Sequence, residues 1–422
     1  MSRASITRTI IRIFTALLAV IFSLDIVPDL VEALSESSVS ENPLVSRIIG
    51  MPMGFLPVLL PAMSPFLAVS SSMGTRSLSP LALAAVPVLI MSLFRGRWFC
   101  RNICPMGLAA ELAGLPRQRS KAKCYSWPRL GRWLLLIALG GAIAGYPLFL
   151  QLDPLVIFNG FINAWREPFT AAVFASGGLF AAILLLSLWR PNAWCFRICP
   201  LGAMQELLGR AFKALKNPGK NRASKAPGMD RRIFLGAAAG GVLGILMGKL
   251  PGSRRVIRPP GAVDENRFTA LCARCGNCVG ACPENIIRHD FAESGLGGLL
   301  TPVIAIGPGY CAEWCSECTK VCPTGAIERL SLEEKRCVSI GTAEVTRLQC
   351  LAWNEHQYCM VCSEYCPYGA ISDIRHEGVN CPEVESDICR GCGLCQTVCP
   401  AEKTAINVRA RDEQVTAKNK FS

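Results

Sequence analysis

Charge-poor apolar runs fill the first 250 residues, and a crowd of regularly spaced cysteines follows them. Together they predict an all-α membrane helical bundle of about five spans, followed by a small α+β domain built on metal-binding loops. The chain has 422 residues, 51% of them hydrophobic, and a formal net charge of +13. A mean hydropathy of +0.34 is high for a chain without membrane segments. Of 23 cysteines, five precede Lys249 and eighteen follow it. A secreted disulfide scaffold would be shorter and would lack the repeated C-x2-C rhythm found here.

The spans are expected at 133–152 and 169–189, which carry no charge, at 78–94, and at 6–26, where Arg8 and Arg12 can snorkel. Run 48–75 is uncharged, but Pro52, Pro57, Pro61 and Pro65 would break it, so it reads as a partly embedded, non-spanning segment. Loop 95–132 holds nine Lys or Arg against Glu111 alone, and 190–232 is similarly basic. Acidic residues crowd the first loop instead, from Asp25 to Glu41. The positive-inside rule then puts the N-terminus and both basic loops in the cytoplasm of a bacterial inner (plasma) membrane protein. Basic loops squeezed between spans argue against a nucleic-acid partner. A fifth run, 233–250, follows Arg231-Arg232 in "RRIFLGAAAGG", a twin-arginine-like anchor that would send everything after it to the periplasm. Domain boundaries follow: 1–232 for the membrane domain, 233–250 for the anchor, 251–260 for a linker and 261–422 for the cysteine-rich domain.

Four cysteine runs organise that last domain. Cys272-x2-Cys275-x2-Cys278-x3-Cys282-Pro283 and Cys389-x2-Cys392-x2-Cys395-x3-Cys399-Pro400 carry the bacterial ferredoxin spacing, in which three close thiolates hold one cubane and the fourth reaches another. Cys311, Cys315, Cys318 and Cys322 form a variant with a longer first gap; Cys350, Cys359, Cys362 and Cys366 lengthen it further. Sixteen thiolates make four [4Fe–4S] clusters, so the domain is expected to be ferredoxin-like and multi-cluster. Zinc sites use separated C-x2-C pairs rather than triplets with a distant Cys-Pro. "CPTGAIERL" and "CPYGAISDI" read as a short helix turning into a strand, and Cys337 and Cys381 as spare thiols.

A second repeat lies in the first half: "CRNICPMGLAAELAG" from Cys100 and "CFRICPLGAMQELLG" from Cys195, offset by 95 residues. Pro105 and Pro200 suit helix starts, from which Glu111 and Glu206 would project as solvated charges. Cys100, Cys104, Cys195 and Cys199 supply four more thiolates, enough for an additional cluster; a redox-active thiol pair or inert boundary cysteines are the alternatives. Cys124 reads as an ordinary thiol. No histidine occurs before His289, which removes bis-histidine haem, and no nucleotide-binding fingerprint is present.

The paired "CPMG" and "CPLG" motifs resemble NapH/MauN-type membrane ferredoxin subunits. The later "RRIFLG", "CARCGNCVGACP", "CPTGAI", "CLAW" and "CRGCGLCQTVCP" resemble NapG/MauM-type periplasmic four-cluster ferredoxins. The chain thus looks like a fusion of two quinol dehydrogenase ferredoxin subunits. It departs from NapH-type proteins in lacking a soluble two-cluster segment over 210–232. Related four-cluster subunits imply exchange between outer runs and between inner runs. That would group Cys272, Cys275 and Cys278 with Cys399, and Cys389, Cys392 and Cys395 with Cys282. It would also group Cys311, Cys315 and Cys318 with Cys366, and Cys350, Cys359 and Cys362 with Cys322. The sequence itself equally permits exchange between adjacent runs.

The resemblance implies electron transfer from the membrane quinone pool, with lipid around the spans, to a periplasmic oxidoreductase or cytochrome subunit. An accessory redox-sensing or maturation role is the rival reading. A cluster at the Cys100/Cys195 pairs would stand about one bilayer, roughly 30 Å, from the others. Some bridge across that gap is then required.

Overall fold

The computed structural model describes residues 9–15, 17, 55–118, 128–164, 171–216, 231–249, 255–291 and 293–417. Most of the expected span 6–26, the acidic loop, Cys124 and the middle of the second basic loop lie outside the described residues. The chain divides into two compact units. Met1–Leu250, Ala270–Asn277 and Pro323–Gly325 form the first; Pro251–Thr269, Cys278–Cys322 and Ala326–Ser422 form the second.

Among its described residues the first unit is helical, but its helices are shorter than expected. Run 48–75 gives α1 (Phe55–Ala62) and α2 (Pro65–Thr75), and Ser64 caps α2 by accepting from the Leu67 amide at 3.3 Å. Run 78–94 splits into a 3-10 turn, Pro80–Ala85, and α3 (Val86–Phe94). A five-residue helix, α4 (Trp98–Asn102), leads to α5 (Pro105–Gln118). Run 133–152 yields α6 (Leu130–Ile143), which stops where Gly145 turns to φ 86° and Pro147 follows. Next come α7 (Pro154–Ala164), α8 (Ala171–Trp189), α9 (Pro200–Lys216) and α10 (Arg231–Lys249).

Among the described residues no helix is long and apolar enough to cross a membrane, so the expected bundle of about five spans is overturned. The physical reason is local. Hydropathy integrates over residues that interrupt helices: run 78–94 begins with a 3-10 turn and becomes α-helical only at Val86-Pro87, and run 133–152 stops at Gly145 and Pro147. Arg231, Arg232 and Lys249 charge both ends of α10. That helix is instead seated on α6 through bare glycine faces. A Cβ on Gly140 would lie 2.0 Å from the Ala237 carbonyl oxygen, and one on Gly240 2.2 Å from that of Ile137. Only a residue without a side chain admits such backbone approach.

Among its described residues the second unit holds three two-stranded antiparallel sheets. They pair β1 (Ile287–His289) with β2 (Pro302–Ile304), β3 (Val338–Val345) with β6 (Ile406–Thr416), and β4 (Ile371–His376) with β5 (Val379–Val384). Glu377 and Gly378, at φ 49° and 89°, make the two-residue turn that joins β4 to β5. The expected strand in "CPYGAISDI" is β4, whereas "CPTGAIERL" gives only one bridge, Ala262 to Ile327. The short helices fall before each Cys-Pro rather than after it: Asn277–Gly280, Glu317–Lys320, Val361–Glu364 and Leu394–Thr397. Each contains the third cysteine of its run, so one helical turn spans the x3 gap. Buried Arg258, from the expected linker, pairs with Glu265 and donates to Thr301 Oγ1 and the Pro302 carbonyl, both at 2.8 Å. It is a structural cation of the second unit.

Candidate metal centres

In the first unit the duplicated motif folds the same way twice. Cys104 and Cys199 each precede a proline that opens a helix, and each sulfur accepts an amide from the first turn. Gly107 serves Cys104, and Gly202 serves Cys199 at 3.3 Å. Helix starts carry partial positive charge and stabilise thiolate. A Cβ on Gly107 would press on the Cys100 carbonyl oxygen at 2.9 Å, and one on Gly202 on that of Cys195 at 3.0 Å, so both loops need glycine there. The two pairs converge across 95 residues. Cys104 and Cys199 are buried in one apolar core with Cys100 and Cys195 packed against it.

Burial pushes the Cys100 thiol up to about 12, with Cys195 adding to the rise, and lifts Cys195 to about 11. Cys104 and Cys199 are raised well above the ordinary value, first by burial and then by their thiol neighbours. Four thiolates cannot stay charged in such a core without a cation to share. Two guanidiniums stand beside them. Arg12 pairs with Glu111 and donates to the Cys100 carbonyl at 3.5 Å; Arg97 donates to the Cys195 carbonyl and to Glu206, each at 2.9 Å. Arg132 and Arg210 also bind Glu206, which is therefore not the solvated charge expected of it, whereas Glu111 stays about half exposed beside Arg12. These arginines were missed by the sequence reading.

The same core contains Ala273 and Cys275, from the first ferredoxin-spaced run. Asn159 and Asn163, one turn apart on α7, both donate to the Cys275 carbonyl at 2.9 Å, and Asn159 also reaches Asn277 Oδ1 at 2.6 Å. Asp153 caps α7 through the Leu155 amide at 2.8 Å, and its charge acts on Cys100, Cys104 and Cys199. Asp153 and Asn159 are six residues apart, about 9 Å along a helix. Cys272 and Cys275 therefore share a unit with the Cys100/Cys195 pairs, and the gap of one bilayer expected between them does not apply.

The remaining runs meet inside the second unit. Burial raises the thiols of Cys311, Cys315 and Cys318, and each is raised further by Cys282. Cys362 is pushed up to about 12 by burial, then by Cys350, Cys359 and Cys399; those four cysteines line one apolar cavity. Cys392 likewise rises to about 12, and both it and Cys395 sense Cys389 and Cys366. The fourth cysteines thus lie beside the triplets of adjacent runs: Cys282 by the second run, Cys399 by the third and Cys366 by the fourth. This differs from the outer-with-outer grouping that the resemblance implied. Amides of Ile327, Ala370 and Ala405 donate to the Cys322, Cys366 and Cys399 sulfurs at 3.4, 3.3 and 3.4 Å. The second and fourth runs touch, since the Cys311 amide donates to the Cys392 carbonyl at 2.8 Å.

Buried Lys335 donates to the Ala312 carbonyl and lowers the Cys311 thiol; buried Arg390 stacks 5.2 Å from the Tyr368 ring and donates to Arg336 and Ile388 carbonyls. Cys381 is fully buried and donates to the Ala352 carbonyl at 3.4 Å, a satisfied thiol as expected. Among the described residues no group of three or more His, Cys, Asp or Glu is spaced to hold a single ion. A mononuclear zinc site would draw its sulfurs to about 2.3 Å from one centre. Cys350, Cys359, Cys362 and Cys399 line one small cavity, and backbone amides donate to the Cys322, Cys366 and Cys399 sulfurs, the kind of bond that tunes thiolate-held clusters.

Comparison with known proteins agrees. The chain is 36% identical over 205 residues to the ferredoxin-type protein NapG of Escherichia coli, covering 44% of this chain and 87% of NapG. The chain belongs to the NapG/MauM ferredoxin-type family. The methylamine utilization ferredoxin-type protein MauM of Methylorubrum extorquens is 34% identical over 37% of this chain and 74% of its own length. NapF of Escherichia coli is 31% identical over 37% of this chain and 88% of its own. Residues 271–326 match the 4Fe-4S dicluster domain, and residues 78–123 and 172–218 each match a 4Fe-4S binding domain. No solved structure matches. As in the NapG/MauM family, the chemistry is iron–sulfur electron transfer. The two first-unit matches cover the motifs of Cys100/Cys104 and Cys195/Cys199.

Proposed function

We propose that the chain is a NapH/MauN-like unit fused to a NapG/MauM-like one, carrying four cubanes in the ferredoxin runs and a fifth on Cys100, Cys104, Cys195 and Cys199. When bound, a cubane supplies one-electron storage; the chain's own residues hold it, exclude water and set its charge balance. The observation that carries this reading is Cys275 lying in one apolar core with Cys104 and Cys199. Electrons would enter from quinol at the first unit, reach the first run along α7, and leave the second unit for a periplasmic oxidoreductase or cytochrome subunit. Association with the bacterial inner membrane is supported by large apolar side chains left exposed on the first unit, among them Leu83, Ile90, Phe94, Leu185, Trp189 and Phe234.

The test is reduction of anaerobic full-length protein in liposomes by a quinol analogue, followed as bleaching near ~400 nm. Bleaching of the wild type, slowed at least tenfold in a C100S/C195S variant, is the expected result. Equal rates in the two proteins would remove the first unit from the path, and absence of bleaching in both would remove quinol as the donor.

A further inference from the structure

We propose that Arg12 and Arg97 are positioning residues for the first-unit cluster, each fixing one cysteine loop and lending buried positive charge to the reduced state. This rests on the fifth cluster proposed above. Four features of the fold carry it.

First, one clamp is built twice. Arg12 holds the Cys100 carbonyl and Glu111; Arg97 holds the Cys195 carbonyl and Glu206. The two carbonyls are 95 residues apart, and so are the two glutamates.

Second, duplication does not explain the arginines. The position 95 residues after Arg97 is Asn192, and both adopt the left-handed conformation, at φ 60° and 61°. Arg97 therefore stands before the first copy yet clamps the second. The first copy is clamped from elsewhere, by Arg12 in helical segment 9–15, where Thr15 Oγ1 also donates to the Ile103 carbonyl at 3.1 Å. The same contact reached by two unrelated routes points to a demand of the site rather than to inheritance.

Third, the cations lie deeper than the anions. The Arg12 side chain is 8% exposed against 47% for Glu111, and Arg97 17% against 23% for Glu206. A buried guanidinium is costly to strip of water unless a nearby negative charge offsets that loss. The partly exposed Glu111 offsets little of that. Arg12 Nε is moreover buried without any hydrogen-bond partner.

Fourth, one guanidinium stands at each cysteine pair, Arg12 on the Cys100 carbonyl and Arg97 on the Cys195 carbonyl, so their field covers the whole group rather than one ligand. Adding one electron to a cubane on four thiolates deepens a negative charge inside a low-dielectric core. Two fixed cations reduce that cost without reorganising.

The experiment uses anaerobic full-length protein and a potentiometric titration read by electron paramagnetic resonance. The signal absent from C100S/C195S is assigned to the first-unit cluster. Its midpoint should fall in R12Q and in R97Q, stay nearer the wild type in R97K, and rise in E111Q, while the remaining signals hold their places. Unmoved midpoints in R12Q and R97Q, with the signal retained, overturn the proposal. If both glutamine variants lose the signal, E111Q decides: a raised midpoint upholds the electrostatic role and an unmoved one overturns it. A wild type holding about sixteen irons rather than about twenty, with no signal sensitive to C100S/C195S, refutes the fifth cluster itself. That failure is distinct from an insensitive midpoint.

Discussion

The two units assemble thiol groups by opposite routes. In the second, three cysteines of a group come from one short run, and a neighbouring run lends the fourth, as Cys282 does for Cys311, Cys315 and Cys318. In the first, two cysteines come from each of two helix starts 95 residues apart. The counter-charges differ in the same sense. Lys335 lies 17 residues beyond Cys318 in the chain it serves, whereas Arg97 crosses from one motif copy to the other. A local group can tolerate loosening of the surrounding fold. A group made from two distant helix starts exists only while the helices are packed.

The sharpest way to break this comparison is to remove single ligands. C318S and C282S should each cost about four irons, and the double variant should lose no more than either alone. Iron analysis with paramagnetic resonance checks this. If C282S instead removes the signal that C392S removes, the exchange between adjacent runs is wrong. In the first unit C199S should abolish the whole fifth cluster, because no third thiolate of its own copy remains nearby.

The units should also respond to pH with opposite sign. Burial raises the Asp153 carboxyl to about 6, against the opposing bonds from Ser64, Leu155 and Val156. Its folded value lies above the unfolded one, so its contribution is full below about 4 and lost as pH rises through about 6. That is worth roughly 3 kcal/mol of first-unit stability. Burial lowers His289, on β1, to about 4. Its contribution to the second unit is full above about 6.5 and lost as pH falls toward 4, again roughly 3 kcal/mol. Denaturant melts across pH 4 to 8 should show the two trends. D153N should flatten the first and leave the second, and H289N the reverse.

Next in size are the glycines. Gly391 has φ 69°, and a Cβ there would lie 2.6 Å from the Gly341 backbone, so Gly391→Ala should cost the second unit roughly 2–4 kcal/mol from strain and overpacking together. Gly240→Ala should cost the first unit roughly 1–3 kcal/mol by pushing α10 off α6. Thermal melts of the two variants separate the units if each lowers a different transition.

How much of this was legible follows from chain distance. The four runs could be read directly because each group is mostly local and the spacing is stringent. The helix starts at Pro105 and Pro200 were legible for the same reason. Convergence of the two Cys-Pro pairs was not, because it depends on how α5, α6 and α9 pack. Nor were Arg12 and Arg97, which break the repeat; the available signal was a basic residue before the first copy replaced by Asn192 before the second. The same break marks the second copy elsewhere. Phe99 and Ala110 become Trp194 and Gln205, both buried with side-chain atoms that find no hydrogen-bond partner. Run 133–152 was misjudged because window hydropathy weighs composition and ignores the Gly145 and Pro147 beyond which its helix does not continue.

The smallest effect tests whether local structure in the second unit supports its metal group. Ser331 caps Leu332–Cys337 in a full capping box, accepting from the Glu334 amide at 3.2 Å while Glu334 bonds back to the Ser331 amide at 2.7 Å. Ser331→Ala should cost about 1 kcal/mol by melts, as cap removals do. That helix carries Lys335, the buried cation beside Cys311, one turn from the cap. If the group tolerates a loosened fold, S331A lowers stability while iron content and the cluster signal stay unchanged. If the signal of the Cys311 group shifts as well, the second unit depends on its helical frame as the first does, and the contrast between local and long-range assembly narrows to one of degree.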